Sequence, residues 1–290
     1  MTLDKWVARK PVLTDGAWGT ELQRRGLGLG ECPDGWNLKK PEAVESVAKA
    51  YVDAGSQVIL TNTFRSNRIT LAGHGLADRI REINLEGVRI SRRAAAGQAG
   101  VFASLGPTGK MLMMGETSEA EISDAFREQA QFLAEAGADA LIFETMSDLA
   151  EARLGVMAAL STQLPVLVSF VFDTGKQKDR TMMGHSPEQV AQKMAEAGAA
   201  AVGANCGLGI AECIPICERL RVSSSLPVWI KPNAGLPEVV DGVPTYRISP
   251  EEYASHVPAM VKAGATFFGG CCGTQPSFIA ACARRLASMI

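Results

Sequence analysis

The stretch YVDAGSQVILTNT, residues 51–63, contains a pattern that the chain repeats three more times. In each copy a segment of helical composition ends in Ala-Gly and is followed at once by a short apolar run. Glycine takes the left-handed conformation that closes a helix at little cost, and an unbroken apolar run is typical of a parallel strand buried on both faces. The pattern therefore predicts four units in which a helix leads directly into a strand. The other copies are LAEAGADALIFET (133–145), MAEAGAAAVGANC (194–206) and MVKAGATFFGGCC (260–272).

Four further apolar runs lie before or between these copies, which brings the predicted strands to eight. Eight strands that alternate with helices over 290 residues favour an α/β fold, a (β/α)8 TIM barrel formed by one domain over residues 1–290. A doubly wound open sheet is the structural alternative. The four runs are PVLTDG (11–16), VFASLG (101–106), PVLVSF (165–170) and PVWIKP (227–232). Helix starts of the capping-box type are Ser118 with Glu121, Ser186 with Gln189, and Ser249 with Glu252.

The composition argues against some classes of binding partner. The chain is 47% hydrophobic with a formal charge of −2 and carries no block of like charge, which argues against a nucleic-acid partner. Its first residues lack the pattern of a signal peptide, and no later apolar run approaches the roughly 20 residues of a membrane span. We therefore expect a cytoplasmic protein with no membrane partner. In that reducing compartment, clustered cysteines more often bind metal or do chemistry than form disulfides.

The predicted carboxyl ends of the strands carry polar or reactive side chains, although the strands themselves are almost wholly apolar. The active site of a barrel gathers at these strand ends, so they predict the position of the site. The residues concerned are Asp15, Asn62, Glu144, Asn205, Cys206, Lys231, Asn233, Cys271 and Cys272.

Three cysteines are expected to converge there, because Cys206 ends the sixth strand and the Cys271–Cys272 pair ends the eighth. Three thiolates suit Zn²⁺ and leave a fourth position open, as in catalytic zinc sites. Adjacent strand residues point to opposite faces, so the glycines of GGCCG (269–273) are predicted to turn the chain. Such a centre suits a substrate thiol as its outside ligand. We interpret the remaining cysteines as buried apolar residues: Cys32, Cys213, Cys217 and Cys282.

With these residues the sequence resembles the homocysteine S-methyltransferase family, which includes the homocysteine-binding module of cobalamin-dependent methionine synthase and betaine–homocysteine methyltransferase. The resemblance runs from near one end of the chain to the other. The matching motifs are TDGAWGTELQRRG (14–26), VILTNTF (58–64), SLGPTG (104–109), IFETMSD (142–148), GANCG (203–207), PNAG (232–235) and GGCCGT (269–274).

The resemblance implies a Zn²⁺ ion held by Cys206, Cys271 and Cys272, with the sulfur of homocysteine in the remaining position. It also implies that Asp15 and Glu144 receive the amino group of homocysteine. A carboxylate at the end of so apolar a strand is costly unless a cation pairs with it, which supports these two acids independently.

The resemblance further implies contacts from the loop after the first strand. Backbone amides of Gly16, Ala17 and Trp18 are expected to bind the substrate carboxylate, and Asn233 is expected to take the open metal position when substrate is absent. The implied activity is the transfer of a methyl group from a donor to the homocysteine thiol, giving methionine, and hence a role in methionine biosynthesis.

The methyl donor is left open among a corrinoid protein, glycine betaine and sulfonium compounds. The stretches PDGWN (33–37) and LTNTF (60–64) most resemble modules that work with methylcobalamin, which favours a separate corrinoid protein. Alternatives are a methyltransferase of the same fold with another thiol or a corrinoid as acceptor, and a non-catalytic zinc-binding protein. A further alternative is a Schiff-base aldolase in which Lys231 reacts with a carbonyl substrate, although a surface or salt-bridged lysine is the plainer interpretation.

Overall fold

Eight parallel strands form a barrel in the computed structural model, which describes residues 3–9, 11–240 and 243–289. Around the barrel the order is β1-β10-β7-β6-β5-β4-β3-β2. From β2 to β10, each barrel strand therefore pairs with the barrel strand that follows it in the chain, and β10 pairs with β1. A parallel bridge between Thr14 and Val58 joins β1 to β2. The (β/α)8 barrel is confirmed, and the open-sheet alternative is wrong because β1 contacts both the second and the last strand. The barrel strands are β1 Val12–Leu13, β2 Val58–Leu60, β3 Gly100–Leu105, β4 Ala140–Met146, β5 Val166–Phe170, β6 Ala201–Cys206, β7 Val228–Pro232 and β10 Ala265–Phe268.

Helices cover the outside of the barrel, and a small antiparallel hairpin of β8 (Glu238–Val240) and β9 (Val243–Thr245) follows β7. No helix in the described ranges is long and apolar enough to cross a bilayer. The helices are α1 Asp4–Val7, α2 Trp18–Arg24, α3 Trp36–Lys39, α4 Pro41–Asp53, α5 Arg68–Ala72, α6 Ile80–Ala95, α7 Glu119–Glu135, α8 Leu149–Ala159, α9 Pro187–Glu196, α10 Ile210–Ser223, α11 Pro250–Ser255, α12 Val257–Ala263 and α13 Pro276–Ala287.

The recurring Ala-Gly pattern has the predicted conformation in all four copies. Gly55, Gly137, Gly198 and Gly264 have φ angles of 100°, 90°, 91° and 103°, so each closes its helix in the left-handed region just before a strand. The helix starts also agree. Complete capping boxes begin α7 and α9, and at α11 the Ser249 hydroxyl accepts the Glu252 N–H in the forward half of a box.

The seam between β1 and β2 is closed largely by side chains, because β1 has only two residues. The Gln57 amide oxygen accepts the Leu13 N–H at 3.0 Å, and the Gln57 N–H donates to the Leu13 carbonyl at 2.8 Å. Two residues beyond Leu13, the Asp15 carboxylate accepts the Leu60 N–H at 2.7 Å. These side-chain oxygens replace ladder bonds that a longer first strand would make.

The barrel interior has an apolar plug with a polar layer above it. Phe102 and Trp229 stack in the plug with ring centroids 6.0 Å apart. Residues two positions apart on a strand face the same side, so the next inward side chains towards the carboxyl rim lie directly over the plug. The plug contains Val12, Val58, Leu60, Phe102, Ala140, Ile142, Leu167, Ala201, Trp229 and Phe267. The layer above, which we name the polar floor, consists of Ser104, Glu144, Ser169, Asn205 and Lys231.

Candidate metal centre and its surroundings

Three thiols meet at the carboxyl rim as the sequence predicts. The sulfur atoms of Cys206, Cys271 and Cys272 all lie within 4.8 Å of one another, with Cys206 and Cys271 2.7 Å apart. All three are free cysteines and are only partly buried, so a ligand from outside can reach them. The other four cysteines are buried, as expected, and burial raises the pKa of Cys213, Cys217 and Cys282 to about 12.

The chain bends out of strand geometry at both places that supply thiols. Cys206 has a φ of 57°, in the left-handed region that a non-glycine residue rarely adopts, and Gly273 has a φ of 83°. The predicted role of the glycine run is thus confirmed only at Gly273. Gly269 and Gly270 are needed instead because other residues pack closely against them. A Cβ atom at Gly269 would lie 2.1 Å from Thr14 Oγ1, and one at Gly270 would lie 2.3 Å from Thr274 Oγ1.

Two fully buried tyrosines hold the backbone that carries the Cys271–Cys272 pair. The Tyr51 hydroxyl, on α4, donates to the carbonyls of Ala17 and Thr274 at 2.8 and 3.0 Å. The Tyr253 hydroxyl, on α11, bonds the Gly269 carbonyl at 2.8 Å. The two hydroxyls therefore fix the loop between β10 and α13 at Gly269, before the cysteine pair, and at Thr274, after it, which positions the thiols before any metal binds.

Asn205 performs the same task for Cys206. Its side-chain oxygen accepts the Thr145 N–H at 2.8 Å and the Ser169 hydroxyl at 2.7 Å, and its amide nitrogen donates to Thr145 Oγ1 at 2.7 Å and to the Cys206 sulfur at 3.6 Å. Thr145 itself has a φ of 64°. Two strained residues, one on β4 and one on β6, are thus held by one amide, a pattern typical of functional sites.

The three thiols share protons. Hydrogen bonds with Cys206 and Cys271 lower the pKa of Cys272, while hydrogen bonds with Cys271 and Cys272 raise the pKa of Cys206. One thiolate therefore forms readily, and the other two protons leave only when a cation compensates the charge.

The donor set fits a zinc ion. Sulfurs bound to one tetrahedral Zn²⁺ lie about 3.8 Å apart for Zn–S bonds of about 2.3 Å, within the spread of the cluster. Asn233 supplies a second indication: its amide nitrogen donates to the Gly207 carbonyl at 2.9 Å, whereas its side-chain oxygen is buried and has no hydrogen-bond partner among the described residues. An unsatisfied buried oxygen of this kind calls for a ligand.

Asp15 and Lys231 form an ion pair inside the barrel. The Asp15 side chain is fully buried, the Lys231 side chain is 2% exposed, and the lysine ammonium bonds Asp15 Oδ1. The Trp18 indole N–H donates to the other carboxylate oxygen at 2.7 Å, beside the Leu60 N–H. The salt-bridged interpretation of Lys231 is therefore confirmed, and a surface position is excluded.

This pairing argues against the aldolase alternative. Burial alone would lower the pKa of Lys231, but the charges of Asp15 and Glu144 outweigh burial and raise the pKa. A Schiff-base lysine must lose its proton to act as a nucleophile, and Lys231 keeps it.

Glu144 lies on β4 in the polar floor, and its carboxylate accepts a hydrogen bond from the Ser104 hydroxyl. Burial is the largest influence and raises the pKa of Glu144 to about 7; Lys231 acts in the opposite direction, and the charge of Cys271 adds to the rise. The two acids named from the sequence thus differ: Asp15 has a cationic partner within hydrogen-bond distance, and Glu144 has a neutral one.

The loop after β1 passes beside this pair. The Ala17 N–H donates to the Thr274 carbonyl at 3.0 Å, so it is already used. The backbone N–H groups of Gly16 and Trp18 have no partner among the described residues. Two of the three amides named from the sequence are therefore free to bind a ligand.

Sequence reasoning missed the residues that support the site rather than form it. Tyr51, Tyr253 and Thr145 were not identified, and neither were the floor residues Ser104 and Ser169. A signal for the last two was present, since each lies two positions beyond a plug residue of its own strand. The tyrosines carry no local signal, because their partners are backbone carbonyls remote in the chain.

Comparison with known proteins agrees with this geometry. A family model described as homocysteine S-methyltransferase matches residues 12–286. The chain is 30% identical to methionine synthase of Mycobacterium tuberculosis over 98% of this chain and 25% of that protein, and 30% identical to methionine synthase of Mycobacterium leprae over 94% and 24%. It thus spans about a quarter of the length of these curated relatives.

Solved structures show the same fold. The metallated form of the homocysteine methyltransferase MmuM from Escherichia coli has a TM-score of 0.80 at 25% identity, over 97% of this chain and 99% of that one. Its oxidised form has a TM-score of 0.82 at 24% identity, over 98% and 99%. With a family match that covers almost the whole barrel, this chain belongs to the homocysteine S-methyltransferase family.

Proposed function

We propose that the protein transfers a methyl group from a donor to the thiol of homocysteine in a zinc-dependent reaction that forms methionine. The observation that carries the proposal is the cluster of three free, partly exposed thiols within 4.8 Å at the rim of a barrel of this family. Free thiols in such a cluster need a reducing compartment, which supports the cytoplasm as the site of action.

Cys206, Cys271 and Cys272 are the residues that would hold the ion, with the Asn233 side-chain oxygen beside them as a ligand or a substrate contact. A bound Zn²⁺ would lower the pKa of the acceptor thiol, so that it is present as a nucleophilic thiolate at neutral pH. The bends at Cys206 and Gly273 set the directions of the three sulfurs before binding.

The polar floor and the loop after β1 would bind the rest of homocysteine. Glu144 and Asp15 would face the amino group, and the free N–H groups of Gly16 and Trp18 would bind the carboxylate, with Ala17 holding the loop against Thr274. These contacts would orient the acceptor sulfur towards the open rim, from which the donor must approach.

The reaction is a displacement in which a sulfur–carbon bond forms while the bond between the methyl carbon and the donor breaks. The bonding electron pair leaves with the donor, and the acceptor has already given up its thiol proton to solvent. Because sulfur, carbon and leaving atom must be in line, positioning by the rim contributes much of the rate.

A separate corrinoid protein is the donor that we propose. Exposed apolar side chains lie in the loops that follow β1, β3, β5 and β7, all at the carboxyl rim, where they suit a protein surface better than a small ion. They are Leu29, Met113, Met114, Met182 and Leu236, each 59% exposed or more. The chain also covers only about a quarter of the methionine synthases that it resembles, which leaves room in those relatives for a donor-binding part.

A panel of donors tests the proposal. Zinc-loaded protein with homocysteine is expected to form methionine from methylcobalamin faster than from glycine betaine, S-methylmethionine or dimethylsulfonioacetate, because these smaller donors leave the apolar rim uncovered. Methionine is measured by mass spectrometry, with metal-free protein as the control. If zinc binds but no donor yields methionine, even when a methylated corrinoid protein is added, the chain is a non-catalytic zinc-binding protein or uses another acceptor.

A further inference from the structure

The Asp15–Lys231 pair lies over the apolar plug and within electrostatic reach of Glu144 and Cys271. Lys231 follows the plug residue Trp229 on β7, and its ammonium lies 5.8 Å from the centre of that ring. Asp15 receives three donors, from Lys231, Trp18 and Leu60. Oδ2 thus accepts two hydrogen bonds and Oδ1 one, all from the chain itself, and both side chains are almost completely removed from solvent.

The charges that face this part of the pocket are Asp15, Glu144 and Lys231, together with the thiols at the rim. Asp15 and Glu144 without the lysine would give this region a net negative charge that attracts an ammonium group. Lys231 already supplies that ammonium from within the fold. A second ammonium brought beside it meets a like charge in a region of low dielectric constant, where repulsion is strong.

The lysine also offers hydrogen-bond donors to a ligand. An ammonium has three N–H donors, and Asp15 is its one hydrogen-bond acceptor among the described residues. The free N–H groups of Gly16 and Trp18 lie in the segment that follows Asp15. Two ammonium hydrogens of Lys231 and two backbone N–H groups are therefore available to an anionic ligand in this region.

We propose that Lys231 is a specificity-determining residue for the methyl acceptor: its ammonium takes the place of an acceptor ammonium at Asp15, so that the pocket recognises a thiol chiefly by its anionic group. This inference rests on the proposed function and deepens it. The acceptor class becomes short mercaptocarboxylates, with or without an amino group, rather than amino acids alone.

Equilibrium binding to zinc-loaded wild-type protein tests the inference without any mutation. The probes are homocysteine, 4-mercaptobutanoate, which is homocysteine without its amino group, and 3-mercaptopropylamine, which keeps the amine and lacks the carboxylate. By calorimetry, loss of the amine is expected to change Kd less than about threefold, and loss of the carboxylate to weaken binding at least about tenfold. A 4-mercaptobutanoate that binds more than about 30-fold more weakly than homocysteine overturns the inference.

Variants separate specificity from stability. Lys231→Met leaves Asp15 without its cation, so preference for homocysteine over 4-mercaptobutanoate should rise at least about tenfold. The double variant Asp15→Asn with Lys231→Met removes both charges and should return the ratio to within about threefold of wild type. A purely structural ion pair would leave the ratio unchanged in both variants. Should Lys231→Met fail to fold, the wild-type comparison decides.

Failure of this inference is distinguishable from failure of the proposed function. If homocysteine binds and is methylated but its amino group proves essential, only the inference about Lys231 is wrong. If none of the three thiols binds zinc-loaded protein, the assignment of the rim as a thiol-acceptor site is wrong as well.

Discussion

Cys272→Ala is expected to abolish stoichiometric zinc binding and methionine formation together. Removal of an outer partner of a metal ligand costs 10- to 100-fold in affinity, so loss of one thiolate of three should cost at least about 100-fold. The effect is large because Cys272 supplies one of the three sulfurs that lie within 4.8 Å of one another. Bound zinc is measured after dialysis against a weak chelator.

Cys282→Ala is the matched control for that experiment. Cys282 is fully buried on α13 and outside the thiol cluster, and burial raises its pKa to about 12. The same substitution there should leave one zinc ion per chain. A Cys272→Ala protein that also retained one zinc ion would contradict the assignment of Cys272 as a ligand.

Asp15→Asn is expected to lower the free energy of unfolding by about 3–5 kcal/mol, because it leaves the Lys231 ammonium buried without a counter-charge. Part of the effect comes from the seam, where Asp15 accepts the Leu60 N–H in place of a ladder bond. The amide can keep that bond only if its NH₂ group faces the lysine, which adds a donor–donor clash. Urea unfolding followed by circular dichroism measures the change.

The double variant Asp15→Asn with Lys231→Met should recover most of this loss, because an apolar side chain over Trp229 needs no counter-charge. A pair that contributed through burial of volume rather than charge would show additive losses instead. An Asp15→Asn protein as stable as wild type would show that the ion pair is not buried as described.

The fold was predictable because its signal is local and repeated. Four Ala-Gly closures followed by apolar runs define helix ends and strand starts without any knowledge of tertiary contacts, and the left-handed φ of Gly55 and Gly264 shows why glycine stands there. The convergence of Cys206 with Cys271 and Cys272 followed from topology alone, since parallel strands of one barrel end at one rim.

What could not be predicted depends on register and on packing across the barrel. The pairing of Lys231 with Asp15 joins residues 216 positions apart, and it requires both side chains to point inward at the same height. Nor could the sequence distinguish a glycine that bends the chain, such as Gly273, from one that allows close approach, such as Gly269. Both kinds of information exist only once the strands are assembled.

X-ray absorption spectroscopy at the zinc edge tests most directly whether the three thiols share one ion with a place for an outside thiol. In zinc-loaded protein we expect three sulfur neighbours at about 2.3 Å and one lighter neighbour, and four sulfur neighbours after homocysteine is added. Four permanent protein ligands that do not change with homocysteine, or fewer than three sulfurs from the start, would contradict the proposed site.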